Sequence, residues 1–383
     1  MVPSCAHTST LSRTYPEHMT TSNLHGLAAT GVSVWSDQIS KAMLDTGELT
    51  RLVENDGVTG VTSNPTIFAN AIIGSDDYAE ALQDLKAGGT PTEEIIKSLM
   101  ASDITRACDA LANTFRSTEG RDGFVSVEVS PTLASDTEAT VAEARDWVKQ
   151  INRPNLLVKV PATPEGIPAI RRLIGEGISV NVTLIFSLER YGEVVEAYLA
   201  GLEDFGKMGG DLSSVASVAS FFVSRFDSEV DSRLDGSGAP TAQKLKGVTA
   251  VANARAAYGH FLKLFNTDRF GTLIGRGARP QKPLWASTST KNPQYDDLLY
   301  VEGLVAADTI NTMPIGTIEA YQDHGNPNPK PFDEDDIAQA HADLAALGEI
   351  GIDYNDVVQV LEDEGVDKFV ASWNELADGV GQA

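Results

Sequence analysis

The sequence predicts an eight-stranded (β/α)8 TIM barrel with additional helices, including C-terminal ones. Three observations carry this expectation. Short runs rich in Val, Leu and Ile recur eight times and alternate with stretches of helical periodicity, the pattern of parallel βαβ units. No low-complexity linker or solenoid repeat divides them. The first run is followed by Asp37-Gln38-Ile39, not by the Gly-rich turn of a doubly wound nucleotide-binding sheet, and no G-x-G-x-x-G or Walker pattern occurs elsewhere. A chain of 383 residues accommodates a barrel of roughly 250 residues with insertions.

The elements follow in order. Val32-Ser33-Val34-Trp35-Ser36-Asp37 is the first predicted strand, with a helix over 38–54 behind it. The second strand, 58–64, closes at Asn64-Pro65, where proline disfavours helix at the preceding residue and the chain turns. Helical stretches at 76–86 and 92–115 lead to a third strand over 124–130, ended by Pro131, and a helix over 137–150. The fourth strand is Leu156-Leu157-Val158-Lys159-Val160-Pro161-Ala162, set between turn residues Asn152-Arg153-Pro154 and Thr163-Pro164-Glu165-Gly166. A helix over 164–175, a fifth strand over 180–186 and a helix over 188–205 come next. The sixth strand lies within 214–223, followed by helices over 225–234 and 241–265. The seventh is Pro283-Leu284-Trp285-Ala286-Ser287-Thr288, and a weaker eighth, Ile310-Asn311-Thr312-Met313, stops at Pro314. Helices over 335–347 and 354–376 finish the chain.

Composition narrows the function classes. The chain is 42% hydrophobic and 22% charged, ordinary for a globular protein with ample core. A net charge of -25 argues against nucleic acid or an anionic membrane surface as the main partner. A small anionic substrate is compatible with it, because a local cluster of Arg and Lys opposes the global field. Two cysteines, Cys5 and Cys108, make no disulfide framework, so a reducing, cytoplasmic setting is expected. No apolar run reaches transmembrane length. Residues 1–22 are rich in Ser, Thr and His and lack the apolar region of a secretory signal. They are read as a disordered tail in which Met19 is a second candidate start, and 23–383 as one barrel domain.

The chemistry is legible in the pleat. Side chains alternate along a strand, so Val125, Val127 and Val129 stand opposite Ser126, Glu128 and Ser130, and Val180, Val182 and Leu184 opposite Asn181 and Thr183. In the fourth strand only Lys159 interrupts the apolar pattern. Asp37 ends the first strand with Ser33 and Trp35 on its side; Asn64 ends the second with Gly60 and Thr62; Ser220 faces away from Ala219 and Phe221. Each strand thus offers an apolar face to surrounding helices and a polar one to the barrel interior, with its main polar group in the C-terminal half, where barrel active sites form. Taken singly these residues have bland readings: a lone strand lysine more often sits on an exposed edge, and Thr or Asn at a strand end is usually a turn residue. But a one-sided wet sheet carries several charges per strand, whereas here Asp37, Glu128 and Lys159 supply one different ionisable group on each of three strands. Burial disfavours an ammonium and favours the free amine, which attacks carbonyls. A Lys, an Asp and a Glu in one water-excluded mouth are equipment for Schiff-base chemistry with acid/base help.

At these residues the chain resembles the bacterial transaldolases, from about Leu24 onward. The matching segments are Val32-Ser33-Val34-Trp35-Ser36-Asp37, Gly60-Val61-Thr62-Ser63-Asn64-Pro65-Thr66, Val127-Glu128-Val129-Ser130, Leu157-Val158-Lys159-Val160-Pro161-Ala162-Thr163 and Asn181-Val182-Thr183-Leu184-Ile185-Phe186. Ser220-Phe221-Phe222-Val223-Ser224-Arg225 and Trp285-Ala286-Ser287-Thr288 complete them. The resemblance implies a class I aldolase barrel of the pentose phosphate pathway. Such an enzyme moves a dihydroxyacetone unit from sedoheptulose 7-phosphate or fructose 6-phosphate to an aldose phosphate, glyceraldehyde 3-phosphate or erythrose 4-phosphate.

By resemblance, Lys159 forms the Schiff base and Asp37 takes the hydroxyl proton as the carbon–carbon bond breaks. Glu128 shuttles protons through a water held by Thr183. Asn64, Asn181 and Ser220 hold the hydroxyls of the dihydroxyacetone unit, Phe222 lines the substrate site, and Arg225 binds phosphate. The protonated imine is the electron sink, so no metal or organic cofactor is implied. Six histidines scattered through the chain, none at a strand end with ligand spacing, agree in arguing against a zinc-dependent aldolase. Expected partners are sugar phosphates alone, without nucleic acid or membrane, in a monomer or homodimer. One departure stands out: where many relatives carry a second phosphate-binding arginine after the seventh strand, this chain reads Ser289-Thr290-Lys291-Asn292, and Lys291 supplies a point charge instead of a fork. Two alternatives stay open at this point: an aldolase of the fructose 6-phosphate type that releases free dihydroxyacetone, and a non-catalytic sugar-phosphate-binding barrel.

Overall fold

A computed structural model describes residues 22–382. The tail expected over 1–22 falls outside these residues, apart from Ser22. Eight strands, β1 (Val32–Ser36), β2 (Val58–Val61), β3 (Val125–Glu128), β4 (Leu156–Pro161), β5 (Val180–Ile185), β6 (Ser217–Phe222), β7 (Lys282–Ala286) and β8 (Thr309–Met313), close into one barrel in sequence order. Every neighbouring pair is parallel, and β1 meets β8 over its full length, from Val32 opposite Thr309 to Ser36 opposite Met313. The predicted fold is therefore the observed one, including the weak eighth strand.

The differences lie between strands and have local causes. The single helix expected over 38–54 is two, Lys41–Asp45 and Glu48–Asn55, because Gly47 adopts φ 76° between them, a conformation that suits a residue without Cβ. β2 ends at Val61, and the residues after it leave the sheet. Asn64 then caps the helix Pro65–Ile73, its side-chain oxygen accepting from the Ile67 N–H at 2.9 Å. Asn before a proline at the first helical position is a helix start signal and not only the turn expected at Asn64-Pro65. The short helices Leu24–Ala29, Asp268–Ile274, Leu299–Gly303 and Ile315–His324 are further additions to the expected elements.

Inside the barrel, the N-terminal layer is built on Trp35. Its ring is fully buried and its Nε1–H donates to Asp122 Oδ1 at 2.9 Å, so the one polar atom of the indole is satisfied. Gly60 lies directly opposite on β2, and a Cβ there would collide with the indole Cε2. The outer faces of β6 and β7 instead pack on helices, as in the edge contacts of Phe221 with Tyr191 and Trp285. The observed division between inner and outer faces follows the pleat parity of the sequence.

The last helix, Tyr354–Gln382, buries Val357, Leu361, Gly365, Phe369, Trp373, Leu376 and Val380 along one stripe. It reaches from the helix that follows β2, through the Thr66–Ser372 hydroxyl pair at 2.7 Å, to the helix that follows β6, through Arg233 and Asp356 at 2.5 Å. Between these ends Gly365 sits on Leu184 and Phe186 at the end of β5. The helix thus crosses the C-terminal end of the barrel.

The tight contact in the Trp35 layer gives a stability prediction. Gly60→Ala overpacks it and lowers the unfolding free energy by about 3 kcal/mol or more, measured by denaturant titration. Gly60→Ala combined with Trp35→Phe recovers part of this loss, since the smaller ring makes room for the methyl. A single variant as stable as the parent would show that the layer is not packed as described.

Candidate active site

The centre of the site forms because strand register sets polar residues of β3, β4 and β5 side by side. Glu128 pairs with Lys159 across β3 and β4, and Lys159 with Asn181 across β4 and β5. Lys159 and Glu128 are 5% and 3% exposed, with Nζ 3.3 Å from Glu128 Oε2. Nζ also donates to the Ser63 carbonyl at 3.2 Å. Burial pushes the Glu128 carboxyl up from its ordinary range, and the Lys159 charge beside it pulls the other way. Two buried opposite charges so placed are held by each other's presence; removing either leaves the other uncompensated.

Asp37 follows β1 and is tied to β8 by its backbone N–H, which donates to the Met313 carbonyl at 2.9 Å. Burial raises its carboxyl from 3.8 to about 6, against the lowering influence of Lys159 and Lys291. Lys291 itself is exposed on the loop after β7, its Nζ donating to Ser289 Oγ at 2.8 Å.

Beneath Lys159 runs a buried polar chain. Ser220 Oγ donates to Asn181 Oδ1 at 2.7 Å, and Asn181 Nδ2 donates to Ser126 Oγ at 3.0 Å. This fixes the orientation of the Asn181 amide. Thr183, fully buried on β5, has a hydroxyl with no protein hydrogen-bond partner among the described residues. The next residue, Leu184, has φ 60°, and pairing with β6 is irregular between Val182 and Ile185. Ser287, just past β7, has φ 59°. Such left-handed backbone at non-glycine residues costs of order 1–3 kcal/mol and collects at functional sites.

Arg225, expected at the phosphate end, opens the helix Ser224–Ser237 after β6, its guanidinium carbon 5.1 Å from the Phe222 ring centroid. Its Nη1 is buried without a partner among the described residues. Burial lowers its pKa, opposed by the fields of Glu128 and Glu364.

Of the ten residues singled out from the sequence, Glu128, Lys159, Thr183, Ser220 and Phe222 lie in the C-terminal halves of their strands and Asp37, Asn64 and Lys291 just after theirs, whereas Arg225 is in the first turn of the helix Ser224–Ser237 and Asn181, expected in the C-terminal half, is the second residue of β5. The side-chain oxygen of Asn64 is committed to the helix cap, and both amide atoms of Asn181 are committed within the polar chain. Sequence reasoning does not assign to the site Ser126, the Ser63 carbonyl or, above all, Phe369 of the last helix, whose ring centroid lies 5.7 Å from Lys159 Nζ. The apolar stripe of that helix is visible in the sequence; nothing in it says what the stripe covers. Two clefts of about 690 and 700 Å³, one between the helices Gly166–Gly175 and Leu188–Lys207 and one along a flank of the last helix, are lined by none of these ten residues. Among the described residues no group of three or more His, Cys, Asp or Glu is placed to hold a metal, and no helix is long and apolar enough to cross a membrane.

Comparison with known proteins agrees with this geometry. The profile of the family described as "Transaldolase/Fructose-6-phosphate aldolase" matches residues 34–380. A transaldolase of Frankia alni is 50% identical over 361 residues, covering 94% of this chain and 96% of that one. A transaldolase of Thermobifida fusca is 51% identical over 362 residues, covering 94% and 98%, and one of Acidothermus cellulolyticus 52% identical over 364 residues, covering 94% and 96%. With a profile match over nearly its whole length and half its residues shared with relatives it spans almost completely, the chain belongs to the transaldolase/fructose-6-phosphate aldolase family.

Proposed function

We propose that this protein is a transaldolase that carries a dihydroxyacetone unit from a ketose phosphate to an aldose phosphate through a Schiff base on Lys159. The observation that carries the reading is the buried Lys159–Glu128 pair on adjacent strands, together with the Asp37 carboxyl just after β1, raised to about 6. A proton passed from Lys159 to Glu128 leaves a free amine, which adds to the ketose carbonyl. Glu128 returns the proton to the carbinolamine hydroxyl, which departs as water, and the iminium forms. Asp37, ionised at neutral pH, takes the proton from the hydroxyl on the fourth carbon. The bond between the third and fourth carbons then breaks, and the electron pair moves onto the iminium to give the enamine. The first aldose leaves; the enamine carbon adds to the carbonyl of the second, Asp37 returns its proton, and water releases the new ketose.

The remaining residues serve recognition. The unpartnered Thr183 hydroxyl suits a water beside Glu128. Asn181 and Ser220 present an oriented amide and hydroxyl to the dihydroxyacetone hydroxyls, and Asn64 offers its amide nitrogen. Phe222 lies under Arg225, whose fork and the Lys291 ammonium attract phosphate in a protein of net charge -25.

Borohydride reduction in the presence of fructose 6-phosphate tests the reading directly: a covalent adduct is expected on the peptide containing Lys159. Lys159→Arg abolishes both adduct and turnover, since arginine stays protonated. An adduct on another lysine, or none, refutes it. Following sedoheptulose 7-phosphate with erythrose 4-phosphate present, and free dihydroxyacetone without it, separates transfer from simple cleavage.

The raised Asp37 carboxyl sets a pH dependence. As a base it must be ionised, so kcat/KM falls as pH drops below about 6. Asp37→Asn lowers cleavage by about 10²–10⁴-fold and removes this acid limb while imine trapping persists. A carboxyl raised in the folded state opposes folding once ionised, so Asp37→Asn also stabilises the protein above pH 6 and not below 3.8. A variant with unchanged relative stability between acid and neutral pH would contradict the burial of this charge.

Phosphate recognition gives a third outcome. Lys291→Ala lowers kcat/KM for fructose 6-phosphate by about 10- to 100-fold, the value of a charge-assisted hydrogen bond. Lys291→Arg is tolerated, and turnover of unphosphorylated fructose barely changes in Lys291→Ala. Equal losses on both sugars would remove phosphate as the partner of Lys291.

A further inference from the structure

Phe369 comes from the last helix, outside the strands and loops that supply the rest of the site. It is 3% exposed. Its ring centroid lies 5.7 Å from Lys159 Nζ and 5.7 Å from Arg225 Cζ. One ring therefore lies against both the amine that would bind the ketose carbonyl and the guanidinium that would bind its phosphate. The position of the ring is held by the helix, which is pinned on three sides. Ser372 bonds Thr66 at 2.7 Å, Glu362 pairs with Arg190 at 3.2 Å, and Gly365 allows close approach to Leu184 and Phe186. A phenyl ring fills space next to Lys159 without offering a proton donor or acceptor, and it excludes water from the polar groups behind it.

We propose that Phe369 is a specificity-determining residue: it shields the enamine on Lys159 from water, so that the intermediate waits for an aldose acceptor instead of being released as free dihydroxyacetone. The proposal rests on the Schiff-base reading given above. Two fates compete for the enamine. In transfer, its nucleophilic carbon forms a bond to the aldehyde carbon of the acceptor, the aldehyde oxygen takes a proton from Asp37, and water then hydrolyses the iminium to ketose and free amine. In release, the same carbon takes a proton that water supplies, and a second step of water addition to the iminium gives dihydroxyacetone and the free amine. Hydrolysis ends both routes. Only the first step of release needs a proton donor at the carbon, and the Phe369 ring stands where that water would enter. Phe369 acts on the choice between routes, without entering either as acid or base.

The test compares the parent with Phe369→Ala and Phe369→Leu. Free dihydroxyacetone from fructose 6-phosphate alone and sedoheptulose 7-phosphate formed with erythrose 4-phosphate are measured, and borohydride trapping on Lys159 is run in parallel. Phe369→Ala is expected to raise the ratio of release to transfer by at least about tenfold, which corresponds to about 1.4 kcal/mol between the two barriers, with the Lys159 adduct still formed. Phe369→Leu, which keeps most of the apolar volume, shifts the ratio in the same direction by less and carries the test if the alanine variant does not fold. An unchanged ratio in a variant that still gives the adduct overturns the proposal alone. If the parent forms no adduct on Lys159, the Schiff-base reading fails and this proposal falls with it. A variant that loses release and transfer in equal measure shows a structural role for Phe369 and overturns the proposal as well.

Discussion

The structure depends on accommodating one positive charge inside a parallel barrel. Lys159 sits mid-row on β4, where a strand buried on both faces normally carries only apolar side chains. Among the described residues its ammonium is in hydrogen-bond contact with the Glu128 carboxylate at 3.3 Å and with the Ser63 backbone carbonyl. That is a thin solvation shell. A buried pair of this kind adds little net stability, because desolvation consumes most of the Coulombic gain. Its physical consequence is a lysine amine and a carboxyl held 3.3 Å apart in a site almost closed to water.

Around that pair the fold concentrates its costs. Leu184 and Ser287 hold left-handed backbone, Asp37 holds a carboxyl raised to about 6, and Thr183 and Arg225 bury polar atoms without protein partners among the described residues. None of these favours folding. They are offset by the surrounding core, for instance the fully buried Trp35, Trp147 and Trp285, and by the last helix, whose apolar stripe closes the mouth. The same helix that excludes water also intensifies the electrostatics beneath it, because fields are stronger where the local dielectric is low. Its ion pair from Asp356 to Arg233 is open to solvent on the aspartate side and contributes little. The packing of Gly365 and Gly379 against Leu184 and Ile73 fixes the position of the helix more firmly.

The charge distribution has two scales. Globally the protein is strongly acidic. Locally, β4 and the segments after β6 and β7 supply Lys159, Arg225 and Lys291, with Glu128, Asp37 and Glu364 as carboxylates that feel these charges. An anionic substrate is repelled at long range and attracted at short range. Screening over a Debye length of about 8 Å at physiological ionic strength makes the local term the one that acts at contact.

Strand parity is legible in the sequence because a pleat has a period of two whatever surrounds it. The alternation of Val with Ser, Glu, Asn and Thr in the third and fifth strands, and the lone Lys159 in the fourth, specifies which residues meet inside a closed barrel. Closure itself, with β8 beside β1, accords with the count of eight strand–helix units. The connections are less legible. A proline at a helix start and a glycine in the left-handed region carry meanings that depend on the residues C-terminal to them. Asn64-Pro65 therefore reads as a turn although it also starts the helix Pro65–Ile73, and the 38–54 stretch has the pattern of one helix although it folds as two. Only the tertiary structure decides the roof. Phe369 lies more than two hundred residues from Lys159 in the chain, on a helix whose amphipathic pattern says that one face is buried but not against what. Periodicity is a local property of the chain, whereas the partner of a buried face is set by how the whole chain packs, and that is where the Phe369 ring acquires its place over the amine.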